Sequence, residues 1–315
     1  MVYLYAMAFA FALVIVLVPI VRKIALRIGF VDRPTRRKIH AEPVPLSGGV
    51  AIFAGVIITS FLFMGHHALF SSLMLGGSIL VVIGLLDDAY KAKSKEFPVW
   101  PRLLAYIAVA YIPVWQGISI QGVSSPSSAS MIIFSPTIAA LFTVVWVFAL
   151  INMLNFIDGI DGLASGVCAI SSLTLFAASL IFNHTDTALI AVVLAGTCMA
   201  FLAYNFHPAR IFMGDAGATF LGYTLAVTAI DGTLKGATLL SLSVPMLALG
   251  VPILDTVIVF SRRLIEGKGL HHADNLHTHH SLMKWGLTQV QTVSFLYLIA
   301  AVFSLLSIVV LLALR

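Results

Sequence analysis

Twelve residues near the middle of the chain, Asn152-Met-Leu-Asn155-Phe-Ile-Asp158-Gly-Ile-Asp161-Gly162-Leu163, set two amides and two carboxylates between stretches apolar enough to cross a bilayer. Asn152 and Asn155 are spaced i, i+3, so on a helix continuing the preceding apolar run they share one face. Gly159 and Gly162 release the backbone for a turn, and Asp161 is placed to cap the helix that follows. Oxygen-rich side chains in such a setting suit a hard cation and the phosphate it accompanies.

Other stretches carry groups of the same kind. Leu86-Asp87-Asp88-Ala-Tyr-Lys91 ends an apolar run with adjacent carboxylates. Two like charges about 4 Å apart repel by roughly 4 kcal/mol at an effective dielectric of about 20. A metal or a cation such as Lys91 would offset this, unless the helix end is simply solvated. Gly214-Asp215-Ala-Gly217 puts an acid between glycines at a helix start; Asp215 is either that helix's cap or a metal ligand whose flanking glycines admit a diphosphate. Asp255 lies within an apolar run seven residues before Arg262, and reads either as a functional intramembrane acid or as a partner of Arg262 or Arg263. His271-His-Ala-Asp274-Asn-Leu-His277-Thr-His279-His280 gathers five of the ten histidines; with no cysteine beside them they suit phosphate better than zinc. The basic stretch before Pro45 either anchors the chain by charge or lends Arg36, Arg37, Lys38 and His40 to an anionic headgroup or phosphate. Ser47-Gly48-Gly49 then offers either exposed amides for phosphate or a close helix packing.

The elements that must position these groups are membrane helices. Of 315 residues, 60% are hydrophobic and 10% charged, with mean hydropathy +1.04, whereas a soluble domain carries roughly 25% charged residues. Ten apolar stretches have the length of a membrane helix: 3–21, 46–64, 68–86, 102–116, 136–155, 163–182, 187–205, 217–230, 237–260 and 288–313. The fourth and eighth are short, and the ninth, interrupted by Pro245, Gly250 and Pro252, is expected to break. Alternate loops hold 16 of the 18 Lys and Arg, so those loops face the cytoplasm and both termini lie outside. Met1 is followed by no basic n-region, so the first helix is expected to stay uncleaved. Cys168 and Cys198 fall inside helices and suggest neither a disulfide nor a cysteine metal site. Residues 116–136 suit a short hairpin and carry no titratable group. The reading is a single all-α polytopic membrane domain over 1–315, and the net charge of +5 is loop bias rather than a nucleic-acid surface.

On that topology Asp87, Asp88, Asp158, Asp161 and Asp215 come from three loops on the cytoplasmic face, beside cations and histidines. Such an array repels itself without a divalent ion, and Asp and Asn oxygens suit magnesium, with manganese as a substitute, better than zinc. Magnesium brings phosphate with it, so the chemistry is a metal-assisted phosphoryl-type transfer between a soluble substrate and a lipid. Lys91, Arg102, Asn152 and Arg210, on the same face, are read as substrate contacts, with Arg37, Lys38 and His40. A cation-coupled secondary transporter is the reading from another class, but its acids would lie near the midplane, in repeated motifs.

Asp87-Asp88-Ala-Tyr-Lys91, Asn152-x-x-Asn155-x-x-Asp158-Gly-x-Asp161-Gly-Leu, Phe212-Met-Gly-Asp215-Ala-Gly and His277-x-His279-His280, in this order, resemble the polyprenyl-phosphate N-acetylhexosamine-1-phosphate transferases. Val31-Asp-Arg-Pro, Arg37-Lys-x-His40 and Pro45-x-x-Gly-Gly49 are similar to that family too, so the likeness runs from about residue 29 to 286. The resemblance implies a bacterial inner-membrane enzyme that joins the sugar 1-phosphate of a UDP-N-acetylhexosamine to undecaprenyl phosphate and releases UMP, with magnesium required. It makes Asn155 and Asp215 metal ligands and Asp87 the catalytic or lipid-phosphate-orienting acid. Asp88, Asp158 and Asp161 support substrate and metal, and His277, His279 and His280 bind the nucleotide sugar. The broken ninth helix would groove the prenyl chain. His277-Thr-His-His is closer to the N-acetylglucosamine branch, whereas Lys91 is similar to the phospho-N-acetylmuramoyl-pentapeptide translocases, the alternative reading. The second pKa of a phosphate monoester lies near 6, so the lipid phosphate needs no strong base, and direct in-line attack is favoured over an aspartyl intermediate. The sequence leaves the oligomeric state open, a homodimer among the choices.

Overall fold

A computed structural model describes residues 1–32, 43–93, 95–124, 131–234, 242–265 and 277–313. The chain begins with α1 (Val2–Ile28), which runs seven residues past the predicted span and so carries Arg22, Lys23 and Arg27 on the helix rather than in a loop. Gly29 stops it in the left-handed conformation, φ 70°, and the Phe30 amide returns to the Ala25 carbonyl at 2.8 Å. Two residues of strand, β1 (Val31–Asp32), pair antiparallel with β2 (Val44–Pro45). Arg36, Arg37, Lys38 and His40 lie outside the described residues.

Next come α2 (Gly48–Met64), α3 (Ala68–Ala92) and α4 (Val99–Trp115). The predicted hairpin is present: β3 (Gly122–Ser124) pairs with β4 (Met131–Ile133). The sequence continues through α5 (Pro136–Ile157), α6 (Leu163–Ile181), α7 (Thr185–Asn205) and α8 (Gly214–Ala229), which ends in a π-helical turn at Ile230–Leu234. The ninth apolar run is broken as expected, into α9 (Ser243–Ala248) and α10 (Gly250–Ile265). Pro252 has no N–H for the carbonyl of Ala248; Ser171 of α6 supplies that carbonyl with a hydroxyl at 2.6 Å. A short helix not anticipated from the sequence, α11 (Thr278–Lys284), precedes α12 (Gln289–Ala313).

Among the described residues six helices are long and apolar enough to cross a membrane: α1, α3, α5, α6, α7 and α12; α2 and α4 are shorter apolar helices of 17 residues. The molecule is a nearly all-helical, multi-pass membrane protein. At its centre α8 packs against α2, α3 and α5, and every residue from Asp215 to Ala229 is buried. Its Thr219, Thr224 and Thr228 return their hydroxyls to the carbonyls one turn back, at 2.6–2.8 Å, which satisfies them where no water reaches.

Glycines set how closely α8 is held. A Cβ on Gly49 would run into the backbone of Gly217, and one on Gly84 into the backbone of Ala216. The amides of Gly48 and Gly49 donate to the carbonyls of Phe212 and Met213, both at 2.9 Å. This corrects the phosphate reading of Ser47-Gly48-Gly49, because those amides belong to the α2–α8 packing and are not offered to a ligand.

Candidate active site

The acidic motifs meet where α3 ends and α8 begins. Adjacent positions on a helix point about 100° apart, so Asp87 and Asp88 divide their work. Asp88 turns to α8, its two oxygens accepting the amides of Asp215 at 3.1 Å and Ala216 at 3.4 Å. It thereby caps the positive end of α8 from another helix. Gly214, at φ 67°, permits the approach, since a Cβ there would collide with the Asp88 carboxylate. The capping reading of Asp215 is corrected accordingly: it lies in the first turn of α8, Met213 is the N-cap, and no side chain of that segment caps it.

Asp215 is freed for ion pairing. Its Oδ1 accepts Lys91 Nζ at 2.6 Å, and its Oδ2 lies 4.0 Å from Arg102 Nη1. Asp87, one helical turn before Lys91, accepts Arg102 at 2.9 Å and lies 3.8 Å from Lys91. The carboxyls of Asp87 and Asp215 adjoin each other, and the Asn155 amide of α5 lies beside Asp215. Asp215 Oδ2 is buried without a well-formed hydrogen bond. Two acids, Asp87 and Asp215, thus share two cations beside Asp88, while Lys91 remains exposed to arriving solutes.

The α5–α6 turn lies against this junction. Asn155 faces Asp215, but Asn152 donates its amide back to Phe148 of its own helix at 2.8 Å. The carboxyl of Asp158 is pushed up to about 7, first by burial and then by the charge of Asp215. Asp161 does not cap α6, contrary to expectation; Gly162, at φ 81°, takes that position. Asp161 instead accepts the Ala209 amide at 3.1 Å and pairs with His207 Nδ1 at 2.8 Å, fastening the loop before α8. Asn205, which sequence reasoning missed, ties the same parts together: Oδ1 accepts Gly162 N and Ser165 Oγ, and Nδ2 donates to Ile211 O. Arg210 is exposed on this loop, its carbonyl accepting Arg22 at 3.1 Å.

The histidines reach the turn from its other side. His277 and His279 stack at 5.7 Å between ring centroids, His280 tilts against His279 at 4.3 Å, and Phe156 lies 5.8 Å from His277. His279 is 2% exposed with Nε2 unpaired, and a Cβ on Gly159 would meet that nitrogen at 2.5 Å. Burial, and next the charge of His280, hold the His279 imidazole down to about 3; burial lowers His280 as well. His279 therefore stays neutral near pH 7. An unfolded chain gains its proton near 6.5, so stability from this group is complete above that pH and is lost as pH falls towards 3. The His279→Leu protein is expected to show a flatter melting temperature between pH 6.5 and 4.5 than the parent, measured by thermal unfolding in detergent.

Asp255 takes neither of the partners weighed from sequence as its close contacts: His277 Nδ1 lies at 2.7 Å and the Thr278 amide donates at 2.7 Å, while Arg262 reaches Ser281 at 3.3 Å. Beside them the broken run, α5, α6 and α12 line an apolar groove formed by Ile157, Leu163, Val251, Leu296 and Phe303, with Asp255, Thr278 and His279 at one side. Among the described residues no three histidine, cysteine or carboxylate side chains form a metal-holding group. Magnesium commonly takes only one or two carboxylates and completes its shell with water and phosphate. Asp87 and Asp215, with Asn155 and the unsatisfied Asp215 Oδ2, fit that donor set.

Residues 70–233, which span α3 to the turn after α8, match glycosyl transferase family 4. A probable undecaprenyl-phosphate N-acetylglucosaminyl 1-phosphate transferase of Bacillus subtilis (strain 168) is 36% identical, over 93% of this chain and 80% of the relative. A decaprenyl-phosphate N-acetylglucosaminephosphotransferase of Mycobacterium tuberculosis is 31% identical, over 88% and 75%. An undecaprenyl-phosphate alpha-N-acetylglucosaminyl 1-phosphate transferase of Yersinia pestis is 27% identical, over 92% and 79%. With its acidic junction inside the matched span and relatives aligned over most of both chains, this protein belongs to glycosyl transferase family 4.

Proposed function

We propose that the protein transfers N-acetylglucosamine 1-phosphate from its UDP-sugar to undecaprenyl phosphate, giving the undecaprenyl-diphospho-sugar and UMP. The observation that carries this reading is the junction of Asp87, Lys91, Arg102 and Asp215 at the start of a buried helix. An oxygen of the lipid phosphate attacks the phosphorus that bears the sugar. The bond from that phosphorus to the bridging oxygen breaks, and the electron pair leaves with UMP. Asp87 orients the lipid phosphate, Lys91 and Arg102 meet the negative charge of the diphosphate, and Asp88 keeps Asp215 in place. Asp215, Asn155 and Asp87 would hold magnesium, which supplies charge neutralisation of the diphosphate when bound. Asp158 and Asp161 shape the turn against the nucleotide sugar, His277 and His280 contact it, and the groove beside α10 takes the prenyl chain. The ten apolar stretches support ten spans, and the basic loop bias supports both termini outside and this site at the cytoplasmic face of a bacterial inner membrane.

The translocase alternative is not favoured, since the named relatives are N-acetylglucosamine 1-phosphate transferases. The test is UMP release by purified protein in detergent with undecaprenyl phosphate and magnesium. Release with UDP-N-acetylglucosamine and not with UDP-N-acetylmuramoyl-pentapeptide is expected; the reverse, or no release from folded protein, sinks the proposal.

A further inference from the structure

Asp255 stands outside the acids given roles above. It sits on α10 just beyond the break, 5% exposed, with both oxygens engaged. Oδ1 accepts the Thr278 amide, so the carboxyl caps α11 from a neighbouring helix much as Asp88 caps α8. Oδ2 lies 2.7 Å from His277 Nδ1. An ionised carboxylate only accepts hydrogen bonds, so Nδ1 must carry the proton. Nε2 is then the ring position left for a ligand. The stack on His279 and the tilted ring of Phe156 hold the imidazole against rotation, and Phe156 directly follows Asn155, which adjoins Asp215.

We propose that Asp255 is a positioning residue acting through His277: it fixes the proton on Nδ1 and offers Nε2 to a phosphate of the soluble substrate. With a phosphate there, the ring lies between two anions, Nδ1–H donating to Asp255 and Nε2–H to the phosphate. The inference rests on the transferase reading for the identity of that phosphate, but not for the Asp255–His277 geometry. Asp255 also belongs to the wall of the apolar groove, so one side chain joins the groove to the histidine that meets the nucleotide sugar.

Asp255→Asn separates this role from helix capping. The amide oxygen of Asn can still accept Thr278 N–H, while its NH2 must donate to Nδ1 and drive the ring proton to Nε2. In the intact protein with 15N-labelled histidine, Nδ1 of His277 is expected to be protonated in the parent and bare in the variant. The Nε2 resonance of the parent is expected to shift on addition of UDP. KM for the UDP-sugar should rise roughly 10–100-fold, by analogy with loss of a partner that orients a metal-ligating histidine, with kcat less affected. In a His277→Gln background Asp255→Asn should change KM less than about 2-fold, as coupled neighbours require.

An unprotonated Nδ1 in the parent, an unchanged KM in the single variant or a full effect in the His277→Gln background overturns the proposal. A parent that binds UDP with the expected nitrogen signals but transfers no sugar phosphate would instead count against the reaction assigned above, leaving the role of Asp255 upheld.

Discussion

The Asp215→Asn protein is expected to release UMP about 1,000-fold more slowly than the parent while melting at nearly the same temperature. The substitution keeps the side-chain volume, and α8 remains capped because Asp88 binds the backbone amides of residues 215 and 216 rather than the Asp215 carboxyl. What disappears is the charge that Lys91 grips at 2.6 Å and that completes the oxygen donors with Asp87 and Asn155. Several kcal/mol of transition-state charge stabilisation correspond to about three powers of ten in rate. Protection against heat by added magnesium should vanish with the activity, which a melt with and without the ion reads directly. A fall smaller than about 10-fold would remove Asp215 from the reaction centre.

Gly84→Ala should act oppositely, damaging the fold first and the chemistry through it. The added methyl meets the backbone of Ala216 rather than the end of a flexible side chain, so relief requires α8 to move as a whole. Overpacking of a close-packed interior costs about 1–3 kcal/mol, occasionally more, and a backbone obstacle places this site at the upper end. The displaced first turn carries Asp215 away from Asp87 and Lys91, and a misplacement near 1 Å costs roughly 100-fold in rate. Lower yield of folded protein, a lower melting temperature and slower UMP release should therefore appear together. Gly49→Ala, whose methyl meets Gly217 from α2, is expected to reproduce the pattern. Parent-like stability in both variants would show that α8 has slack.

Groups that carry charge were readable from the sequence because charge is rare in an apolar chain. Asp87, Lys91, Asn155 and Asp215 converge as their motifs imply, and the Pro and Gly residues of the ninth run mark its break. The hairpin after α4 followed from its turn residues and β-like pieces. Partner choice was not readable where it depends on tertiary approach. Whether Asp161 caps its own helix or fastens a distant loop depends on where α7 ends, and Asp255 pairs with a histidine 22 positions away. Ser47-Gly48-Gly49 looks the same in sequence whether its amides face a ligand or the carbonyls of Phe212 and Met213. Asn205 gave the faintest signal, a lone amide ending an apolar run, although it binds three separate backbone or hydroxyl groups. α11 escaped because seven residues rich in histidine carry no helical period of their own.

The complete enclosure of α8 bears on how the protein is made. With an acid, several hydroxyls and three glycines in sixteen residues, α8 is the kind of segment that lipid alone accepts poorly. Its neighbours α2, α3 and α5 all precede it in the chain, and synthesis runs from the N-terminus. The segment therefore emerges when its protein surroundings already exist, and it can pass from the ribosome into a waiting slot instead of into hydrocarbon. Birth order along the chain thus substitutes for greasiness, and the helix that bears Asp215 owes its place among its neighbours to elder siblings.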